Sequence, residues 1–308
     1  MSLTVPDERV VQELLARHFD HIDGLTPLNM GQTVLAYRFA VGGRGYILRL
    51  SSASIVDRLR LERLIAEYFA SEALPIPATI IIGEYAGFEY GISLQAPGQP
   101  LESLPRPDVA AFIPAILATS DALCRADVSR TSGYGWLDWR GHGQFPTWSA
   151  HLLSIIEEAP TDSFYGRWHR LFAESFLEHD VFMTIYQAMA DLVPYCPEDR
   201  YLVHGNFSLP NLIGQHKRIT GVIDWADVRY GDFVFDMASL ALWYPELGFA
   251  THFTNHIARQ GLAVPHLPQR LRCYQLYIGL DALRFFAKQN HLQMYQWTKD
   301  RLLAILYP

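Results

Sequence analysis

Three residues in one short span carry the chemistry for moving a phosphoryl group. Residues 201–236 hold the polar loop His204-Gly205-Asn206-Phe207-Ser208-Leu209-Pro210-Asn211. Two short apolar runs follow it, Leu212-Ile213 and 219–223, and the second ends on Asp224-Trp225. Phosphoryl transfer to a hydroxyl needs one group to orient and deprotonate the acceptor, and oxygen ligands to hold magnesium on the nucleotide phosphates. The Asn211 amide oxygen and the Asp224 carboxylate fit the ligand role. Both are hard oxygens of the kind Mg²⁺ prefers. A carboxylate closing an apolar strand is costly to bury unless it meets a cation. Asn206 stands where the base belongs, and a neutral amide has no useful basicity.

The surrounding elements divide the chain into a strand-rich beginning and a helical remainder. Apolar spacing predicts an opening helix over 6–19, with Asp7 and Glu8 in its first turn. Two β runs, 34–41 and 45–50, meet at the turn Gly42-Gly43-Arg44. A helix over 54–73 carries Asp57, Arg58, Arg60, Glu62, Arg63 and Glu67. Strands over 79–84 and 90–94 run into Gln95-Ala96-Pro97-Gly98, which breaks the sheet. Beyond it the pattern predicts helices over 107–127, 148–158, 168–195, 232–243 and 269–288. Asp232, after Gly231, is expected to cap the 232–243 helix. The stretch 131–148, rich in glycine and aromatics, reads as a long loop. It is either a substrate contact or a surface loop pinned by its own rings. These signals predict an α+β chain, with a small β-rich lobe over 1–97 and a large helical lobe over 98–308 that carries the catalytic hairpin.

The 308 residues are 50% hydrophobic and 13% aromatic, ample for a packed core, with a net charge of −7. An acidic chain without basic runs is a poor partner for nucleic acid or an anionic membrane and suits a cationic small molecule. The three cysteines, Cys124, Cys196 and Cys273, include no C-x-x-C pair, which argues against a zinc site or disulfide framework. The first residues lack a signal-peptide pattern, and no apolar run reaches membrane-spanning length. A cytoplasmic protein is expected.

The loop and hairpin resemble the aminoglycoside phosphotransferase family of small-molecule kinases. That family has H-x-D-x-x-x-x-N followed by a strand ending I-D-W. Here Asn206 to Asn211 keeps the spacing, with Asn in place of Asp. The blocks at 42–50, 69–77, 131–135 and 201–207 extend the likeness in order. The resemblance implies a bilobal, protein-kinase-like fold, with ATP or GTP and Mg²⁺ as cofactors. It implies an O-phosphotransferase acting on an aminoglycoside or aminocyclitol hydroxyl of the hygromycin B kind, and with it antibiotic resistance. On that reading Arg49 clamps the phosphates, and Glu62 or Glu67 pairs with it. Counting back from Leu74 favours Glu62. Residues 30–33 begin the phosphate-covering hairpin, and Gln95, Ala96 and Pro97 form the hinge that meets the purine through backbone groups. His204 braces the loop backbone, and Asn211 with Asp224 holds the metal. Asp227 and Asp281 are candidate contacts for a cationic substrate. Asn206 in the base position implies an impaired enzyme. Two alternatives stay open: a non-catalytic pseudokinase that binds nucleotide or sugar, and a kinase for another small alcohol such as choline or homoserine.

Overall fold

The structure, a computed structural model, describes residues 6–28, 34–158 and 164–307. Residues 30–33, expected at the phosphate-covering hairpin, lie outside that range. In chain order the elements are α1 (Glu8–Ala16), β1 (Asp23–Leu28), β2 (Leu35–Val41), β3 (Arg44–Ser51), α2 (Val56–Phe69), β4 (Thr79–Tyr85), β5 (Phe88–Leu94) and β6 (Gln99–Pro100). They continue with α3 (Arg106–Ala110), α4 (Ile113–Cys124), β7 (Tyr134–Leu137), β8 (Gly143–Phe145), α5 (Trp148–Leu153), α6 (Leu171–Glu174), α7 (His179–Ala190) and β9 (Tyr201–Val203). The remainder is β10 (Leu212–Gln215), β11 (Arg218–Val222), β12 (Arg229–Gly231), α8 (Val234–Trp243), α9 (Phe249–Arg259), α10 (Leu267–Lys288) and α11 (Leu292–Leu306). No helix among the described residues is long and apolar enough to cross a membrane.

The chain folds as two compact units, and the first is built from three separate segments: Met1–Pro105, Leu137–His142 and Leu209–Ala226. Its antiparallel five-stranded sheet has the order β1-β2-β3-β5-β4. The β2–β3 turn is Gly42-Gly43, both at positive φ, which is the two-residue geometry whose twist suits a hairpin. Period-two alternation then sorts the side chains. Phe39, Leu48, Leu50, Tyr90 and Ile92 pack with Val11, Leu14 and Leu15 of α1 in one core. The register pairs Ala36 with Arg49, Arg38 with Ile47 and Arg49 with Gly91, so these positions share the opposite face. Gly91 leaves room there for Leu59 of α2, because a Cβ would stand 2.8 Å from it. The hairpin β10–β11, read from the sequence as part of the helical lobe, packs in this unit. Its reason is β6, which adds to β10 to make a three-stranded sheet.

The second unit comprises Arg106–Trp136, Gly143–Ser208 and Asp227–Pro308, and helices dominate it. The helix expected over 107–127 is interrupted between α3 and α4, and that over 168–195 breaks before α7. The stretch 131–148 is not wholly a loop: β7 and β8 join β12 and β9 in a sheet of order β8-β7-β12-β9. Asp232 does accept from the Val234 backbone N–H at 3.1 Å, but it does more than cap α8. It is fully buried, receives both arms of the Arg270 guanidinium and accepts from the Tyr274 hydroxyl. Tyr274 in turn takes a hydrogen bond from the buried Trp148 indole at 3.1 Å. One carboxylate therefore ties β12, α8 and α10 together.

Candidate active site

Within the first unit a cavity of about 570 Å³ opens on the face of the five-stranded sheet that carries Arg38 and Arg49. Arg38 and Arg49 line it from the sheet, Arg58 and Glu62 from α2, Gln95 and Ala96 from the turn after β5, and Asp224 from the end of β11. Arg49 donates through Nη1 to Glu62 Oε1 at 3.0 Å and through Nη2 to Oε2. Glu62, not Glu67, is thus the partner that helix α2 offers. Both side chains are well shielded, Arg49 at 14% exposed and Glu62 at 7%. A fork-to-carboxylate pair in that setting fixes the direction of the guanidinium as well as its charge. Pro97 does not line the cavity. Its carbonyl accepts from the Thr220 hydroxyl and so ties the turn to β11.

Asp224 lies at φ +63, in the left-handed region that asparagine and aspartate tolerate better than most residues. Such conformations collect at functional sites, held by their surroundings. Here Ile223, the residue before it, donates its backbone N–H to the Asn211 carbonyl at 3.0 Å, and Val222 donates to Pro75 at 2.8 Å. The strand end is pinned on both sides. Asn211 is buried beside it without lining the cavity. Asp224 is 39% exposed, and one of its oxygens accepts from Arg58. An amide oxygen and a carboxylate this close in the chain fit a hard divalent cation that completes its shell with phosphate oxygens and water.

The chain's overall charge is negative, yet this cavity holds three guanidinium groups against two carboxylates. The local balance suits a polyanion, which the net charge gave no hint of. The sequence reading missed Arg58. Its signal was present in the spacing, since Arg58 precedes Glu62 by four residues on a helix and so shares its face.

The loop bearing Asn206 belongs to the second unit and is held from behind by Asp236. Its Oδ2 accepts from the His204 backbone N–H at 2.8 Å and its Oδ1 from that of Gly205 at 2.9 Å. Burial pushes the Asp236 carboxyl up to about 6, against those two hydrogen bonds and the nearby Arg229 charge. Gly205 sits at φ +82, and a Cβ there would stand 2.0 Å from the Asp227 carbonyl, so only glycine passes. The buried His204 imidazole takes the Asn206 backbone N–H on Nδ1 at 3.3 Å, and the Ser208 hydroxyl donates to Asn206 Oδ1 at 3.2 Å. The loop is preorganised around position 206. Asp281, weighed above as a substrate contact, is held by Arg284 Nη2 at 2.7 Å. Asp236 was also missed as an anchor, although an acid inside the apolar run Val234-Phe235-Met237-Ala238 was the clue.

Arg229 carries this support further. Its Nε donates to the Asp227 carbonyl at 3.0 Å, and its Nη1 approaches His151 Nε2 at 3.3 Å. His151 is fully buried among Trp136, Phe145, Trp148 and Tyr277. Burial first, and then the Arg229 charge, lower its pKa well below the ordinary 6.5. The unfolded chain then binds a proton that the folded chain refuses. His151 therefore contributes stability above pH 6.5 that is lost as pH falls below it. Asp236 acts with the opposite sign, its contribution being lost as pH rises through about 6. The melting temperature of the native chain is expected to drop more steeply between pH 7.5 and 5.5 than that of His151→Gln. Parallel slopes in the two melting series would remove His151 as the cause.

Comparison with known proteins places this geometry in context. The model of the phosphotransferase enzyme family, APH, matches residues 24–272. Hygromycin-B 4-O-kinase of Escherichia coli is 33% identical over 300 residues, covering 96% of this chain and 84% of that one. The crystal structure of aminoglycoside phosphotransferase APH(4)-Ia superposes with a TM-score of 0.81 at 31% identity, covering 98% of this chain and 99% of that one. A thermostable mutant of APH(4)-Ia in ternary complex with AMP-PNP and hygromycin B gives a TM-score of 0.81 at 32% identity, over 96% and 98% of the two chains.

Proposed function

We propose a function from one premise: the chain belongs to the aminoglycoside phosphotransferase family, with its α+β, kinase-like fold. It is a small-molecule kinase that transfers the terminal phosphoryl group of ATP to a hydroxyl of an aminoglycoside or aminocyclitol, hygromycin B first among them. The observation that carries this reading is the Arg49–Glu62 pair sharing one cavity with Asp224. Arg49, aimed by Glu62, binds phosphate oxygens. Gln95 and Ala96 present backbone groups to the base. Asn211 and Asp224 would hold Mg²⁺, which when bound neutralises charge on the phosphates. Asn206, braced by His204 and Ser208, hydrogen-bonds the acceptor hydroxyl and orients it without taking its proton. Chemistry of this kind leans on positioning and electrostatics, so the chain retains slow turnover. With such a substrate the biological role is antibiotic resistance, exercised in the cytoplasm.

The test is product formation from ATP, Mg²⁺ and hygromycin B, read by mass spectrometry, with choline and homoserine as competing acceptors. Phosphorylated hygromycin B alone supports the reading, and phosphorylation of a different acceptor alone replaces the substrate. Glu62→Gln is expected to raise KM for ATP about tenfold, equal to roughly 1.4 kcal/mol of lost phosphate orientation. An unchanged KM would mean that Arg49 finds its direction without Glu62.

A further inference from the structure

We infer that Arg58 is a resident cation of the Asp224 site, which a divalent metal must displace and which then turns to the nucleotide phosphates. This rests on the kinase reading above and assigns a role that the reading leaves empty. Three observations carry it. First, Arg58 Nη2 donates to Asp224 Oδ1, so a positive charge already sits on the carboxylate proposed for the metal. Second, Arg58 Nε lies 3.4 Å from Glu62 Oε1, one helical turn along α2. Glu62 is already held on both oxygens by Arg49. Release of Asp224 therefore leaves Glu62 satisfied and Arg58 still tethered beside it. Third, Arg58 and Asp224 are 37% and 39% exposed and both line the cavity, so the guanidinium can swing by side-chain rotation alone.

The physics of the exchange follows from charge. A guanidinium on Asp224 blocks one oxygen and repels an incoming dication. The contact itself is half-exposed, and solvent-screened pairs of that kind are weak, so a metal can break it. Once displaced, the same guanidinium faces a polyanion, and its fork suits phosphate oxygens. Arg58 is thus a positioning residue that keeps Asp224 in place and supplies positive charge in turn to two partners.

Arg58→Gln separates this role from a merely structural one, because the exchange predicts two shifts in opposite directions. With no nucleotide present, Mn²⁺ affinity followed by electron paramagnetic resonance is expected to tighten about fivefold, the equivalent of one such half-exposed pair. AMP-PNP affinity measured calorimetrically at saturating Mn²⁺ is expected to weaken by a similar factor. Arg58→Lys keeps the charge but not the fork, and its Mn²⁺ affinity should lie between the two. A structural brace would weaken both affinities in Arg58→Gln, and that result, or an unchanged Mn²⁺ affinity, overturns the proposal while leaving the kinase reading intact. If the native chain binds neither Mn²⁺ nor AMP-PNP, the kinase reading falls and this proposal with it.

Discussion

Asn206→Asp is expected to phosphorylate hygromycin B about 10²- to 10⁴-fold faster than the chain with Asn206, the usual worth of a positioned general base. The substitution exchanges an amide for a carboxylate of the same shape. The supports of position 206 need not change: Asp236 holds the His204 and Gly205 backbone, His204 holds the residue's own N–H, and the Ser208 hydroxyl can donate to a carboxylate as it does to the amide. The gain should appear in kcat. KM for the antibiotic should move little, because a hydrogen bond to the hydroxyl is available in both forms. Steady-state turnover of the two proteins, at matched and saturating ATP, decides it. A gain below tenfold would mean that the loop no longer needs a base at this position. Binding of nucleotide with no product from either form would instead favour the pseudokinase.

The largest loss of stability is expected from Asp232→Ala, at about 3–5 kcal/mol. The carboxylate is wholly buried and serves Arg270, Tyr274 and the Val234 N–H together. Removing it leaves the Arg270 charge, itself 4% exposed, without its counter-ion. That asymmetry matters more than the strength of the pair. A buried ion pair is weak evidence for stability, whereas half of one is strongly destabilising. Urea unfolding of the variant, with the slope held constant, measures the loss directly. A cost under 1 kcal/mol would mean that water or another residue reaches Arg270. The residue read from the sequence as a helix cap is thus better described as the hub of the second unit.

What the sequence revealed and what it hid have separate physical causes. Asp224 was legible because a carboxylate at the end of an apolar strand is an anomaly that needs a cation. Arg49 was legible only through the family resemblance of the block 42–50, since an arginine between Leu48 and Leu50 fits an ordinary alternating strand. Strand β1 was not, since Thr26 and Pro27 give it no apolar period, and Pro27 marks an edge. Strands β7 and β8 hid among glycines, and the structure shows why those glycines are there. A Cβ on Gly133 would stand 2.1 Å from the Gly143 carbonyl, so the strand ends approach too closely for any side chain. The ties made by Arg58 and Asp236 were hidden because each joins residues distant in sequence. Arg58 meets Asp224 across 166 positions, and no local pattern encodes that meeting.

The threefold origin of the first unit has a consequence in time. When the ribosome has made residue 105, the five-stranded sheet and α2 are complete, but the cavity lacks the wall formed by Val222, Ile223, Asp224 and Trp225. At about 5–20 residues per second, synthesis reaches residue 226 roughly 6–24 s later. During that interval Pro75 lacks the backbone partner that Val222 later supplies, and β6 has no strand to join. Arg49 and Glu62 can already pair on the nascent chain, but Asn211 and Asp224, the residues proposed to hold the metal, have not yet been made. On the proposed kinase reading, nucleotide can therefore begin to stabilise this unit only late in translation.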